Sequence, residues 1–596
     1  MLPYSHKIKK QGYSMILREI LSDIVKPAFA ACGYDAGFGE VTASNRPDLC
    51  QFQCNGAMAA AKIYKKAPIV IADEVAARLA GDSRFSAVTA VAPGFLNLSV
   101  SDAFLAEWMN RMKADGRMLL PLMEPRTIVV DYGGPNIAKP LHVGHLRAAI
   151  IGDALRRIAL FLGHNVIGDT HLGDWGLQMG LVLAALEDKF PELSYFDQTY
   201  TGDYPAELPV TADDLNGIYP AASARAKTDA AFAARSAAVT ADLQNHRSGY
   251  IALWQKIKAI SLADLRKNYG LLGVHFDEWL GESDADPYVP RVMETLEARG
   301  LLRESNGAMV VDVALPGDTE PMPPMIVVKS NGADIYGTTD LGTLLQRRED
   351  WRPDEIWYVT DNRQIFHFKQ LFRCAALMGL SDGICLEHIW FGTMNGKDGK
   401  PYKTREGGVM RLSDMIETVT GAALERAEAS GVVAGPAARE TVARAVGVAA
   451  MKIGDMVNHR TKDYVFDMDR FLAAEGKTGP YLQYAAVRLF SVLKKAEMMP
   501  KGEIALSGCD SERELMLALT AVPDALLRAF EDKTPNALCE VMFQLAGASN
   551  KFYFENRILT CPDEKQRASW LSLIDLTARM LTTLLSLLGI EVPESM

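Results

Sequence analysis

The chain has 596 residues, 48% hydrophobic and 23% charged, a composition that excludes a mainly disordered or collagen-like protein and, at about 150 residues per domain, leaves room for three to five domains. Lys and Arg number 63 against 74 Asp and Glu, so the formal charge is −11, which excludes nonspecific coating of nucleic acid and leaves RNA contact to a local basic face. The eight cysteines are scattered without a CxxC pair, so neither a disulfide framework nor a structural zinc site is expected. No apolar run reaches membrane-span length and no signal-peptide core opens the chain, so a cytoplasmic protein with reduced thiols, away from any membrane, is expected. Helical patterning starts more cleanly at Met15 than at Met1, so residues 1–14 read as an extension outside the core.

Residues 15–120 read as a small α+β unit. Its helical patches, Ile16 to Pro27 and Ile71 to Ala80, are separated by breaks such as Asn45-Arg46-Pro47. The run Arg126-Thr-Ile-Val-Val-Asp-Tyr132 is β-rich and is followed by Gly133-Gly-Pro-Asn136. A helix is predicted from His145 to Leu162, where Ile151, Leu155, Ile158 and Leu162 step by four, three and four and Gly163 stands at the C-terminal cap. A second strand follows at Val166-Ile-Gly168. Strand, glycine-bearing loop, helix and strand in that order open a doubly wound, Rossmann-like parallel sheet. Residues 188–280 are polar and helical, Ala-rich over 221–241, and read as an insertion between the halves of the sheet. Further β-type runs occur at Met309 to Val313, Ile326 to Lys329, Ile356 to Val359 and His388 to Phe391. After about residue 420 no strand is predicted, and Leu573, Leu576, Met580, Leu584 and Leu587 mark one of several amphipathic helices. The expected fold is therefore α/β: an N-terminal α+β domain (1–122), a doubly wound parallel-sheet domain (123–420) with the helical insertion, and an all-α helical-bundle domain (421–596).

The chemistry concentrates at Lys139-Pro-Leu-His142-Val-Gly-His145, between the first sheet strand and its helix. A helix N-terminus offers unpaired N–H groups and the positive end of its dipole to anions. Gly144 lets a purine ring approach the backbone. His142 and His145 can donate to phosphate oxygens as charge builds on them, and Lys139 adds a full positive charge. Two histidines that merely cap and pack the helix are the alternative reading.

From Asp131 to Arg147 the sequence closely resembles the HIGH-motif region of class I aminoacyl-tRNA synthetases, and within them the arginyl-tRNA synthetases. The resemblance continues through Gly173-Asp-Trp-Gly176 with Gln178, Tyr358-Val-Thr-Asp-Asn-Arg-Gln-Ile-Phe-His367, and Lys477-Thr-Gly-Pro-Tyr-Leu-Gln-Tyr-Ala485, and it ends with Met596. It implies a catalytic role for residues 123–420. Gly399-Lys-Pro-Tyr-Lys403-Thr-Arg-Glu-Gly407 stands where a KMSKS loop belongs, in a departing form. Lys400, Lys403 and Arg405 would neutralise leaving pyrophosphate there, with Lys139 taking part of the load. Tyr336 and Asp340 are four residues apart, one face of a helix that begins at Tyr336. The resemblance sets them against a guanidinium, which needs planar acceptors, sets Asp131, Asn136 and Gln364 near the amino-acid backbone, and sets Asn136 and His367 near the nucleotide.

Residues 451–495 carry eight Lys or Arg and five Asp or Glu, a local excess of three positive charges, interleaved with Tyr464, Phe466, Tyr481 and Tyr484. That mixture suits single-stranded bases, which stack on rings while cations meet phosphates. Tyr481, Tyr484 and Arg488 share a face if the segment is helical. The resemblance makes this an anticodon-binding domain, with Tyr553 and Met596 as further contacts, and assigns Gln53 and Asn55 to an additional domain that touches the tRNA elbow. It implies a monomeric ligase for arginine and tRNA(Arg), with ATP brought in as its Mg²⁺ complex. The alternatives are a class I ligase for another amino acid (a cysteine enzyme would show thiol or imidazole zinc ligands), a small nucleotidyltransferase, which needs no helical RNA-binding domain, and a catalytically silent tRNA-binding relative.

Overall fold

The computed structural model describes residues 16–46, 49–121, 123–328, 336–400, 402, 410–496, 502–506 and 509–596. The expected extension at 1–14, Lys403, Arg405 and the side chain of Tyr336 lie outside the described residues. The chain divides into two compact units, one of residues 1–124, 474–587 and 591–596, the other of residues 125–473 and 588–590.

In the first unit, β1 (Val41–Ala43), β2 (Phe52–Cys54), β3 (Phe85–Val91) and β4 (Phe95–Val100) form an antiparallel sheet of order β1-β2-β4-β3. The first helix, Leu17–Ala31, runs on past the expected stop at Pro27, and the second predicted patch forms the helix Pro68–Leu79. The C-terminal helices, among them Gly479–Lys495, Asn536–Glu555 and Glu564–Leu587, belong to the same unit. The link is partly polar: Arg18 pairs with Asp524 at 3.0 Å, and Lys113 Nζ donates to the Gly502 carbonyl and to Ser572 Oγ at 2.7 and 3.1 Å. Sequence periodicity carries no signal for such long-range pairs, which is why the two segments read as separate domains. Glu564–Leu587 is long and apolar enough to cross a membrane, contrary to expectation, but 67% of its most apolar window is buried in the protein, as in a core helix.

The second unit is built on β5 (Thr127–Tyr132), β6 (Asn165–Asp169), β10 (Glu355–Val359) and β11 (Cys385–His388), all parallel, in the order β11-β10-β5-β6. Every residue of β10 is buried, the mark of a strand covered on both faces. The chain leaves β5 toward β6 and leaves β10 toward β11, in opposite directions. The crevice between the carboxyl ends of β5 and β10 is therefore the topological switch point, where ligands bind in open α/β sheets.

Three expectations are corrected here. The runs at 309–313 and 326–329 do not join the parallel sheet. With β7 (Leu302–Ser305), they form β8 (Ala308–Val311) and β9 (Met325–Val328) of a separate antiparallel sheet. Asn306 and Gly307, at φ +53° and +77°, make the tight turn that folds β7 back on β8, and a two-residue turn cannot serve a parallel crossover. The strand near 388 is Cys385–His388, ahead of the expected run. Finally, 421–473 does not join the C-terminal bundle. Helices Leu412–Ser430 and Pro436–Met456 stay with the sheet, and a short strand does occur there, with β12 (Met394–Asn395) pairing in parallel with β13 (Tyr464–Val465).

The fully buried Arg147 explains that adherence. It lies 2.9 Å from Asp455 and donates to the Gly392 and Lys462 carbonyls at 2.6 and 3.2 Å, tying the helix Val143–Phe161 to the chain just ahead of β12 and just ahead of β13. The insertion is helical as predicted, with Ala212–Ala226, Ala230–Gln244 and Ser248–Leu271 packing on Leu177–Lys189 around a core of its own. The chain then returns to the sheet edge through bridges that pair Asp169 with Glu278 and Leu172 with Gly281.

Candidate active site

Helix Val143–Phe161 starts two residues before the expected His145, because His142 caps it. His142 has extended backbone, φ −118°, and its Nδ1 accepts the Gly144 N–H at 3.0 Å, while His145 Nδ1 accepts the His142 N–H at 3.0 Å. Both Nδ1 atoms are acceptors, so each neutral ring carries its proton on Nε2. The ring centroids are 3.9 Å apart. Burial, then Lys139 and Arg363, push the His142 pKa down to about 4, and burial, then His142 and Lys139, push that of His145 down to about 3. At neutral pH the pair is two uncharged donors. Capping and ligand donation are thus compatible, since they use opposite nitrogens. A Cβ on Gly144 would lie 2.8 Å from the His142 ring, so glycine at this position keeps the cap in place. Lys139 is half-buried, which lowers its pKa, and its Nζ is 5.7 Å from the Tyr219 ring centre.

The chain beyond the KMSKS-like segment, at Met410–Leu412, is stitched to the same loop. The Val143 N–H donates to the Met410 carbonyl at 3.1 Å and the Leu412 N–H to the Leu141 carbonyl at 2.9 Å, with His142 bridged to Arg411. Lys400 is exposed at the other end of that segment, where its carbonyl accepts the Gly396 N–H.

Beside β5 lies a second group of charges. Arg347, fully buried, holds Asp131 at the end of β5 and Asp169 at the end of β6, at 2.8 and 2.7 Å. Burial raises the Asp131 pKa against the pull of Arg347. One oxygen of Asp131 is thus engaged by the protein itself. Asn136 pairs with Gly173 across a bridge, and a Cβ at Gly173 would collide with the Asn136 amide oxygen. Gln178 donates to the Gly173 carbonyl, fixing the Gly173-Asp-Trp-Gly176 turn.

Asp340 is the fifth residue of the helix Tyr336–Asp350. His367 Nε2 is 2.6 Å from Asp340 Oδ2, and His171 Nε2 is 3.7 Å from Oδ1. Burial opposes the charge on His367, but Asp340 outweighs it and raises the pKa. Gln364 ends the single turn Asn362–Gln364 after β10 and is exposed. Three residues of this region escaped the sequence reading. Arg347 looks like one charge of a solvated Gln-Arg-Arg-Glu-Asp helix face. His171 stands just before the glycine turn. Glu282, buried in an acidic run, has its carboxyl pushed up to about 7 by burial, with Asp174 and Asp340 adding to the rise and His171 opposing it.

In the first unit, Gln53 donates to Asn97 at 2.9 Å, and Asn55 is exposed at the start of the helix Gly56–Tyr64. Tyr481, Tyr484 and Arg488 share one face of Gly479–Lys495. Arg488 donates to Asn550 at 2.8 Å, Asn550 donates to the Tyr481 hydroxyl at 3.1 Å, and the guanidinium lies 4.6 Å from the Tyr484 ring centre and 5.5 Å from that of Tyr553. Met596 is half-exposed at the chain end.

Residues 110–468 match the family model described as the catalytic domain of class I tRNA synthetases (R). The chain belongs to the arginine–tRNA ligase family. An arginine–tRNA ligase of Alkaliphilus oremlandii is 48% identical over 98% of this chain and 100% of that protein, and one of Hyphomonas neptunium is 47% identical over 97% and 100%. Two further family models match, the arginyl tRNA synthetase N-terminal domain at 15–100 and the DALR anticodon-binding domain at 482–596. The arginyl-tRNA synthetase structures from Plasmodium falciparum and Thermus thermophilus share the fold, with TM-scores of 0.79 and 0.77 at 23% and 24% identity, each over 98% of this chain and 100% of that one. The family thus accounts for the class I catalytic domain with its parallel sheet, flanked by an N-terminal domain and a helical DALR domain.

Proposed function

We propose that this chain ligates arginine to tRNA(Arg) through the groups gathered at the β5–β10 switch point. The observation that carries the reading is the pair of imidazoles at the start of the helix Val143–Phe161, which cap it through Nδ1 and carry their protons on Nε2. In the first step the arginine carboxylate attacks the α-phosphorus of ATP, giving arginyl-adenylate and pyrophosphate. In the second, a hydroxyl of the tRNA's terminal ribose attacks the arginyl carbonyl, the mixed-anhydride bond breaks, and AMP leaves as the arginyl ester forms. The adenylate is already a mixed anhydride, so the protein supplies no nucleophile, and positioning with charge stabilisation lowers the barrier.

In this reading the Nε2–H groups of His142 and His145 donate to phosphate oxygens whose charge grows in the transition state. Lys139, with Lys400, Lys403 and Arg405 of the KMSKS-like segment, takes up the charge of the leaving pyrophosphate. Gly144, Asn136 and His367 border the nucleotide. Asp340, with Tyr336 and the buried Glu282, accepts the guanidinium. Asp131, Asn136 and Gln364 orient the amino-acid backbone, Asp131 with the oxygen that Arg347 leaves. ATP enters as its Mg²⁺ complex, since a triphosphate shares its charge with a hard cation. Gln53 and Asn55 of the N-terminal segment (1–122) meet the tRNA elbow, and Tyr481, Tyr484, Arg488, Tyr553 and Met596 meet the anticodon. The chain acts as a monomer in this reading, as the family resemblance implies. The eight cysteines are free thiols, in keeping with the reducing cytoplasm.

ATP–pyrophosphate exchange with arginine, run with and without tRNA(Arg), tests the reading. Exchange that needs both supports it, together with gating by tRNA, the requirement implied by the family resemblance that tRNA be bound before the first step runs. Exchange with arginine alone removes the gating. No exchange in either condition, with a response to another amino acid, would overturn the arginine assignment.

A further inference from the structure

Phe554 is the most exposed large hydrophobic side chain among the described residues, at 73% of its surface. A lone exposed apolar residue needs no explanation, but Phe554 is not alone. The Arg488 guanidinium lies 5.1 Å from its ring centre, and the same guanidinium faces Tyr484 and Tyr553, which are 43% and 37% exposed. The rings of Tyr553 and Phe554 meet edge to face, centroids 5.6 Å apart at 72°. One cation therefore stands among three partly open rings.

The arrangement is fixed before any ligand arrives. Tyr484 and Arg488 are four residues apart on Gly479–Lys495, and Asn550 and Phe554 are four apart on Asn536–Glu555, so each pair shares a helix face. Asn550 accepts from Arg488 and donates to Tyr481, which locks the guanidinium plane. Among the described residues no carboxylate pairs with Arg488, so its charge is uncompensated within this cluster. Open π-faces beside an unpaired, oriented guanidinium match an unstacked nucleotide, whose base stacks on a ring and whose phosphate meets the cation.

We propose that Phe554 is a base-stacking platform for an unpaired tRNA nucleotide, an outer ring of the nest centred on Arg488. The proposal rests on the reading of this segment as the anticodon-binding surface and adds to it a residue which that reading does not contain. Phe554 is exposed, so its replacement leaves the fold intact.

The test is the binding of tRNA(Arg) to the full chain by wild type, Phe554→Leu and Phe554→Trp, with aminoacylation at saturating tRNA as the second readout. Leucine keeps apolar bulk without a π-face, and tryptophan offers a larger one. We expect Phe554→Leu to weaken tRNA binding about tenfold, Phe554→Trp to stay within about twofold of wild type, and kcat at saturating tRNA to change less than about twofold in both. Leucine binding as well as phenylalanine, or leucine and tryptophan failing equally, would overturn the stacking role while leaving the ligase reading in place. Failure of the wild type to bind tRNA(Arg) would overturn the ligase reading and the proposal with it.

Discussion

Glu282→Gln should stabilise the empty enzyme and weaken its hold on arginine. Glu282 is 6% exposed, and its carboxyl is pushed from an ordinary 4.5 to about 7 by burial, then by Asp174 and Asp340. A carboxyl whose folded pKa lies above its unfolded one binds its proton more readily in the fold. It therefore costs stability increasingly as pH rises from 4.5 to 7, and the full cost stands above that window. At about 1.4 kcal/mol per pKa unit the cost is roughly 3 kcal/mol at pH 8 and under about 1 kcal/mol at pH 5. Glutamine has the same shape, keeps an acceptor for the Trp175 N–H, now 3.3 Å from Glu282 Oε2, and carries no charge at either pH. Urea denaturation at the two pH values should show the variant about 3 kcal/mol more stable at pH 8, with most of the gap gone at pH 5. The arginine KM should rise about 10- to 100-fold, since a charge-assisted hydrogen bond to the guanidinium is lost. A variant no more stable than wild type at pH 8 would refute the argument that this carboxylate is held in the fold at a cost.

Arg347→Met leaves Asp131 and Asp169 buried without their cation and should cost about 3–5 kcal/mol in urea denaturation. A loss below about 1 kcal/mol would mean that water reaches the pair. His142→Asn keeps an acceptor for the Gly144 N–H, whereas His142→Ala does not. Both should lose about 100-fold in kcat for adenylate formation, and only alanine should lose a further stability of about 1 kcal/mol, read by thermal unfolding. Because His142 and His145 stay neutral down to about pH 4 and 3, kcat for activation should show no histidine limb from these rings between pH 6 and 8. An acid limb near 6.5 that vanishes in His142→Asn would contradict their neutrality. Lys139→Ala should damage single-turnover adenylate formation more than Lys403→Ala, and equal or reversed losses would sink that order.

The parts of the fold written in local pattern were legible. The buried run Thr127 to Tyr132, the helix after His142 and the Tyr336–Asp340 spacing are short-range features, and each lies within two residues of where the pattern put it. What the pattern did not carry was pairing at a distance. Runs 309–313 and 326–329 have the composition of sheet strands whichever sheet they enter, and only the Asn306-Gly307 turn decides that they form a hairpin. The adherence of 421–473 to the sheet rests on Arg147 and Asp455, which are 308 positions apart. The candidate site divides in the same way. His142 and His145 were legible because their chemistry sits in one loop. Arg347, His171 and Glu282 were not, since a buried charge looks like a solvated one until its partners are known.

The two histidines of the Lys139–His145 loop spend Nδ1 on architecture and leave Nε2 outside the cap. On the proposed reading, any change at His142 is therefore screened twice, once by the helix that needs a cap and once by the ligand that needs a donor. Few side chains pass both screens. Serine or aspartate would cap the helix well but could not present an N–H on the far side of a ring. The motif is narrow because two unrelated demands fall on the same imidazole, and a redesign of the pocket that keeps this helix start inherits both.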